Sequence, residues 1–242
     1  MDSKDVLIKY DISIGIPQPC KKVIMVDCMD TVLYRDLSLE SILKIWSKKA
    51  SARFSLNRSF LSNYRTEVVS SAMHNTVPIE MIYGEMYDHC SHFGLINCIK
   101  KNEFVEVSHQ IEFETELLYL HVIPEIVEFL HKSKSSGAKI YCVSDFRLSG
   151  ADIKKFYSHL NIDYLFDDIF SSCDYGKTKK EGSFYQMVLE RIHKTPSECI
   201  MIGDNLKSDC VNSSKNEIKS YWIQKRNASY FSLFKDLCIR LS

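Results

Sequence analysis

The sequence predicts an α/β protein: a doubly wound parallel-sheet core interrupted by an inserted all-helical unit. Three features predict it. Short apolar runs ending in polar turns occur at KVIMVD (22–27), KIYCVSD (139–145) and CIMIGDN (199–205), as expected of strands buried on both faces. Helix-period stretches alternate with strand candidates in the second half, which argues for parallel strands joined by helical crossovers. A long Gly-poor stretch between the first two runs is periodic and almost without strand signal.

In chain order, the first twenty residues, ending IPQP, fit an added strand or a tail. After the first strand, LESILKIWSKKASARF, SFLSNYRTEVVSSAMH, PIEMIYGEMYDHCSHF and EFVEVSHQIEFETELLYLHV read as four or more amphipathic helices packed as a separate unit. Pro124 starts a further helix, IPEIVEFLHKSKSSG, and Gly137 fits its stop. The expected boundaries are therefore 1–36 and 136–242 for the core and 37–135 for the insertion. Beyond the second strand, ADIKKFYSHL and GSFYQMVLERIHK read as helices, the latter with Phe184, Met187, Val188 and Ile192 on one face. DDIFSS and KSYWIQ are further strand candidates, and FSLFKDLCIRL reads as a closing helix.

The 242 residues carry zero formal net charge and are 45% apolar. That balance argues against a dedicated nucleic-acid binder. The N-terminal MDSKDVLIKYDISIG has early acids and no uninterrupted apolar stretch, unlike a secretory signal. No run is long enough to span a bilayer, so the expected location is the cytoplasm, without a membrane partner. The nine cysteines include no CxxC pair and read as reduced thiols used as small apolar residues. His89, Cys90, His92 and Cys98 are types that suit zinc, but their spacing matches no standard knuckle, and packing is the preferred reading.

Ligands of open parallel sheets bind beyond the carboxyl ends of the strands. Those ends carry Asp27, then Ser144 with Asp145, then Asp204 with Asp209, and the basic loop CDYGKTKKEG lies between the last two. Carboxylates converging near a lysine and a hydroxyl describe a magnesium-dependent phosphoryl site. Magnesium takes a few hard oxygens and keeps several waters. An attacking carboxylate needs a cation to hold its charge on, and the transferring phosphoryl group needs donors around its oxygens. The plainer alternative makes Asp27 and Asp204 strand-end acids bonded to helix N-termini and Ser144 an N-cap. Lys177 and Lys180 are read as a solvated face.

Order and spacing resemble the haloacid dehalogenase-like (HAD) hydrolase superfamily, over about residues 21 to 225. VDCMDTVL is similar to its first motif, with Asp27 as nucleophile and Thr31 in the hydroxyl position; YCVSD is similar to the second, with Ser144 as phosphate-binding hydroxyl. Lys179, followed by Gly182 and Tyr185, resembles the third, with Lys177 and Lys180 as the nearby alternatives. IMIGDNLKSD resembles the fourth, with Asp204 as metal ligand and Asp209 in support. The resemblance implies a HAD-type Rossmann-like core, a helical cap between the first two motifs, Mg2+ as cofactor and a small phosphorylated substrate. Asn205 joins the substrate-binding candidates, and Tyr64, Arg65 and His74 are candidates to face the substrate from the cap.

Most phosphatases of this superfamily carry a second aspartate two residues after the nucleophile, as acid and base. Here that position is Met29, which transfers no proton, although its carbonyl remains a magnesium ligand in the family pattern. A positioned acid–base group is worth about 10²–10⁴ in rate. Asp30 is the neighbouring candidate to take over; a substrate with a good leaving group is the other escape. DCMDTVLYR also resembles a branch whose first motif reads D-x-F-D-T-L followed by arginine, and whose second reads S-D-x-x-L, as in Ser144, Asp145 and Leu148. Members of that branch are often associated with surface-polysaccharide genes, which implies a sugar-phosphate context. Arg35 and Arg147 are candidates for substrate anions, with surface salt bridges as the equal alternative. Two other readings stand beside the phosphatase: a metal-independent 2-haloacid dehalogenase, and a non-catalytic phosphate-binding module.

Overall fold

The protein is described by a computed structural model covering residues 3–19, 22–70, 77–96 and 99–224. The described chain divides into two compact units, one reaching Tyr34 and resuming at His121, the other Arg35–Leu120.

The first unit is built on a six-stranded sheet, all of whose pairings are parallel. Helix α1 (Ser3–Lys9) leads into the short strand β1 (Ser13–Ile14), followed by β2 (Val23–Val26) and β3 (Leu33–Arg35). The chain returns through β4 (Leu120–Val122). β5 (Ile140–Ser144), β6 (Asp168–Ser171), β7 (Cys199–Gly203) and β8 (Lys219–Trp222) complete the set. The sheet order is β1-β8-β7-β2-β5-β6. All four residues of β2 are buried, which fits its central place between β5 and β7. The N-terminal segment supplies the edge strand: Ser13 pairs with Tyr221 and Ile14 with Trp222.

Helices cover both faces. Val23, Met25, Val143, Phe170 and Met201 form one core with Phe184, Tyr185, Val188 and Leu189. Alternation along β5 turns Cys142 to the other face, where the Tyr157 hydroxyl meets its sulfur at 3.3 Å.

In the second unit, α2 (Leu39–Phe54), α3 (Arg58–Ser70), α4 (Ile79–His92) and α5 (Lys101–Leu117) form the expected helical bundle. Ser38 caps α2 by accepting from Ser41 N at 3.2 Å, and Ser55, at φ 57°, ends it. Trp46 and Tyr83 stack at 5.3 Å inside it.

Two expectations change. Leu120–Val122, read as the end of a helix, is a strand paired with β3. Its flanking bonds, Ile123 N to Val32 O and Asp36 N to Tyr119 O, run antiparallel, so this ribbon marks the two chain crossings between units. The second boundary consequently falls near residue 120 rather than 135, and α6 (Pro124–Ser135) belongs to the sheet unit. An amphipathic pattern says that a helix has a buried face, not what covers it. Pro124 does open α6, and Gly137, at φ 93°, follows its end.

The described cysteines Cys28, Cys90, Cys142, Cys173, Cys199 and Cys210 are free and buried. His89 stacks on Phe60 and Cys90 is fully buried, so packing accounts for both; Cys98, His74 and FSLFKDLCIRL lie outside the described residues. Among the described residues, no helix is long and apolar enough to cross a membrane.

Candidate active site

The parallel register sets the strand ends level. Val26 pairs with Ile202 and with Cys142, and Asp27 N donates to Ile202 O at 2.9 Å. Asp27, Ser144 and Asp204 therefore leave the sheet along one edge. Carboxylate oxygens of Asp27, Asp204 and Asp209 lie within 4.8 Å of one another, and all three residues are buried. The three acids come from two sequence regions about 180 residues apart, and only the sheet joins them.

Lys179 reaches this cluster from the loop after α8 (Ser172–Tyr175). Although 1% exposed, its ammonium donates to Asp27 Oδ1 at 2.7 Å. It also lies 2.6 Å from Asp209 Oδ1, a close ionic contact. Burial works to lower the Lys179 pKa, but Asp209 and Asp27 outweigh it and hold the ammonium charged well above its ordinary range. Burial pushes Asp209 up to about 7, with Asp27 adding to the rise and Lys179 opposing it. The carboxyl of Asp145 is also raised, chiefly by burial.

Asp209 lies against the strand end because residue 203 is glycine: a Cβ there would come 2.3 Å from Asp209 Cγ. After Asn205 the chain makes a π-helical turn, Leu206–Val211, and continues into α10 (Asn212–Lys215). Asp209 Oδ2 accepts from Asn205 N at 2.9 Å.

The other expected site residues divide into those turned to the cluster and those turned elsewhere. Thr31 is buried and directs its hydroxyl at Asp204 Oδ1 at 3.5 Å. Asp145 accepts the backbone N–H of Lys179 at 2.8 Å. Ser144 is buried at the end of β5. Asn205 uses its side-chain oxygen to cap the turn, accepting from Lys207 N and Ser208 N at 3.1 Å each. Arg35 lies 3.1 Å from buried Glu116 in the helical unit. Arg147 is 1% exposed, with its guanidinium 5.0 Å from the Phe146 ring centre, so neither arginine is the surface bridge offered as the plain alternative. Arg65, a candidate to face the substrate, is instead buried within the bundle on Glu112, and Tyr64 joins an aromatic group with Phe60 and His89. Lys177 and Lys180 are exposed, as read.

Asp30 adopts φ 58°, the left-handed conformation that aspartate tolerates better than most residues. Cys28 O accepts both Val32 N and Leu33 N at 2.9 Å, so residues 28–32 form a tight return in which such a residue is needed. Half-buried Met29 bridges Leu33 in the same turn. The aspartate after Met29 thus has a conformational reason for its place.

The sequence reading gave no role to Gly203, Trp222 or Asn212. Trp222 Nε1 donates to Asp204 O at 2.8 Å, which pins the backbone of one acid. Its distance along the chain hides that contact from any pattern.

Three buried carboxylates gather beside one ammonium, and the oxygens they offer are hard donors. A divalent magnesium ion suits that donor set.

A doubly wound sheet whose carboxyl edge gathers strand-end acids around a buried lysine defines a Rossmann-like α/β protein with a charged site at its switch edge. A family model described as haloacid dehalogenase-like hydrolase matches residues 21–210, and the chain belongs to that family of hydrolases. No curated protein matches it. Among solved structures it is similar to a HAD phosphatase from Thermococcus onnurineus, at 17% identity and TM-score 0.58, covering 86% of this chain and 89% of that one. It is similar also to a 2-haloacid dehalogenase from Pseudomonas syringae pv. tomato DC3000, at 11% identity and TM-score 0.65, covering 92% and 100%. A third is a HAD family enzyme from Bacteroides thetaiotaomicron in complex with magnesium and inorganic phosphate, at 12% identity and TM-score 0.57, covering 89% and 100%. At these identities the likeness is one of fold.

Proposed function

We propose that the protein is a magnesium-dependent phosphohydrolase acting through an aspartyl-phosphate on a small phosphorylated metabolite. The observation that carries this reading is the buried cluster of Asp27, Asp204 and Asp209 around Lys179. Asp27, Asp204 and the Met29 carbonyl would hold the ion, with Asp209 in support. Magnesium, when bound, offsets the carboxylate charge and that of the phosphoryl oxygens.

In this mechanism an Asp27 oxygen attacks phosphorus, the new O–P bond forms, and the bond to the leaving oxygen breaks with its electron pair. The Lys179 ammonium, already on Asp27 Oδ1, lies where it can neutralise charge on the phosphoryl group as it is transferred. The Ser144 hydroxyl donates to a phosphoryl oxygen, and Thr31 steadies Asp204. Water then attacks the phosphorus of the aspartyl-phosphate; the O–P bond to Asp27 breaks and frees its carboxylate, and the water proton leaves with the phosphate. With Met29 in the place of a proton donor, the leaving group departs largely unprotonated. This favours acyl phosphates and other substrates with acidic leaving groups over sugar alkoxides. A sugar-phosphate or nucleotide-sugar context, suggested by the D-x-F-D-T-L branch, is compatible where phosphate leaves from an anhydride or a similarly stable anion. A cytoplasmic location suits such metabolites.

The test is a screen of phosphate esters, acyl phosphates and 2-haloacids, each with magnesium and with EDTA. Hydrolysis of phosphates in magnesium alone is expected, with beryllium fluoride adding to Asp27. Turnover of 2-haloacids in EDTA would replace this reading with the dehalogenase.

A further inference from the structure

The turn that presents Asp209 also presents Asn212. The Asn212 side chain, on a residue 6% exposed, donates from Nδ2 to the main-chain oxygens of Lys179 at 3.1 Å and Lys180 at 2.8 Å. Two carbonyl acceptors fix the orientation of the amide, because only its nitrogen end carries hydrogens. Lys179 O also accepts from Gly182 N at 3.1 Å, and Lys179 N donates to Asp145 at 2.8 Å. The lysine is therefore held at its ammonium, its amide nitrogen and its carbonyl oxygen.

Asp209 and Asn212 stand three residues apart on one turn. The first meets the lysine head and the second the root of the same side chain. That turn is itself pinned from α9 (Ser183–Ile192), where the Tyr185 hydroxyl donates to Ser208 O at 2.9 Å.

We propose that Asn212 is a positioning residue for Lys179: it fixes the main-chain point from which the lysine reaches Asp27. The proposal rests on the phosphohydrolase reading above. Lysine is a point charge on a flexible four-carbon stem. With its root released, the ammonium settles on Asp209 and leaves the Asp27 oxygen that it must neutralise. An aspartate at 212 would set carboxylate oxygens against two carbonyls and push the loop away.

The test compares wild type with Asn212→Ala and Asn212→Asp. Amide hydrogen exchange, which needs no activity, should show Gly182 N and Lys179 N exchanging roughly tenfold faster in both variants. Amides of β2 and β7 should keep their protection. Unchanged exchange at Lys179 and Gly182 overturns the tether. Loss of protection in β2 and β7 with both variants also overturns the proposal, since Asn212 would then hold the whole fold. With p-nitrophenyl phosphate and magnesium, kcat should fall roughly ten- to hundredfold, while the magnesium midpoint for activity stays within about twofold. A midpoint that shifts in step with kcat overturns the positioning role, because Asn212 would then act on the acidic turn itself. Should wild type hydrolyse no phosphate ester, the functional reading fails, and exchange alone decides the tether.

Discussion

The sheet unit and the helical unit both bury charge, but they arrange it differently. Within the bundle, Arg65 and Glu112 are both fully buried and joined by Nη2 at 3.0 Å and Nε at 3.2 Å. The Tyr83 hydroxyl donates to the same carboxylate, and the guanidinium lies 5.5 Å from the Tyr83 ring centre. Buried Glu116 has its own arginine, Arg35, at 3.1 Å. In the sheet unit, Lys179 meets two of three clustered acids, Asp27 and Asp209. Burial of charge is thus no sign of function in itself. A paired set fixes the packing of helices, whereas carboxylate oxygens gathered at a sheet edge offer the kind of donors a cation takes.

The sharpest way to break this comparison is to neutralise one acid in each unit. Asp27→Asn should lower phosphate hydrolysis by roughly 10⁴-fold or more, with little loss of thermal stability in EDTA. A variant that keeps activity but melts far below wild type would make the sheet cluster structural. Arg65→Ala should instead cost about 3–5 kcal/mol in denaturant unfolding, because a buried carboxylate loses its partner. Replacing both partners, with Arg65→Met and Glu112→Leu together, should recover most of that loss. A cost below about 1 kcal/mol for Arg65→Ala would remove the contrast between the units.

Met29→Asp carries a smaller effect and sharpens the role of the first turn. Wild type should favour acyl phosphates and aryl phosphates with acidic phenols, with a steep dependence on leaving-group acidity. The variant should gain about 10²-fold on alkyl phosphates and flatten that slope. A flat slope in wild type would mean that another acid already donates the proton.

The smallest effect is on stability without metal. Asp209 is pushed up to about 7, against an ordinary 3.8, with burial first among the causes. Between those values the folded state binds more protons than the unfolded one, so this group's contribution to stability falls as pH rises from about 4 to 7. In EDTA, wild type should therefore lose more melting temperature between pH 5 and pH 8 than Asp209→Asn. Equal losses in the two proteins would show that Lys179 fully offsets the charge on Asp209.

The strands were legible because residues buried on both faces leave an unbroken apolar run, as in VIMV of β2 and CIMIG of β7. Asp27, Ser144 and Asp204 were legible because parallel strands in register deliver their exits to one edge. The extent of the bundle was harder to read. α6 has the same kind of amphipathic pattern as α2 yet packs in the sheet unit, and three residues of β4 are too few to break a helical pattern.

By itself, the sequence determined which segments bury which faces and which acids end the strands, since both depend on local order and residue type. Only the tertiary structure decided which charges meet. Arg65 finds Glu112 on another helix, 47 residues away. Lys179 rather than Lys177 or Lys180 turns inward on Asp27, 152 residues away. Asn205 caps a turn, and Asn212, 33 residues past Lys179, takes that lysine's carbonyl. A polar side chain is committed by its nearest buried partner, and that partner is supplied by the fold, not by the neighbouring sequence.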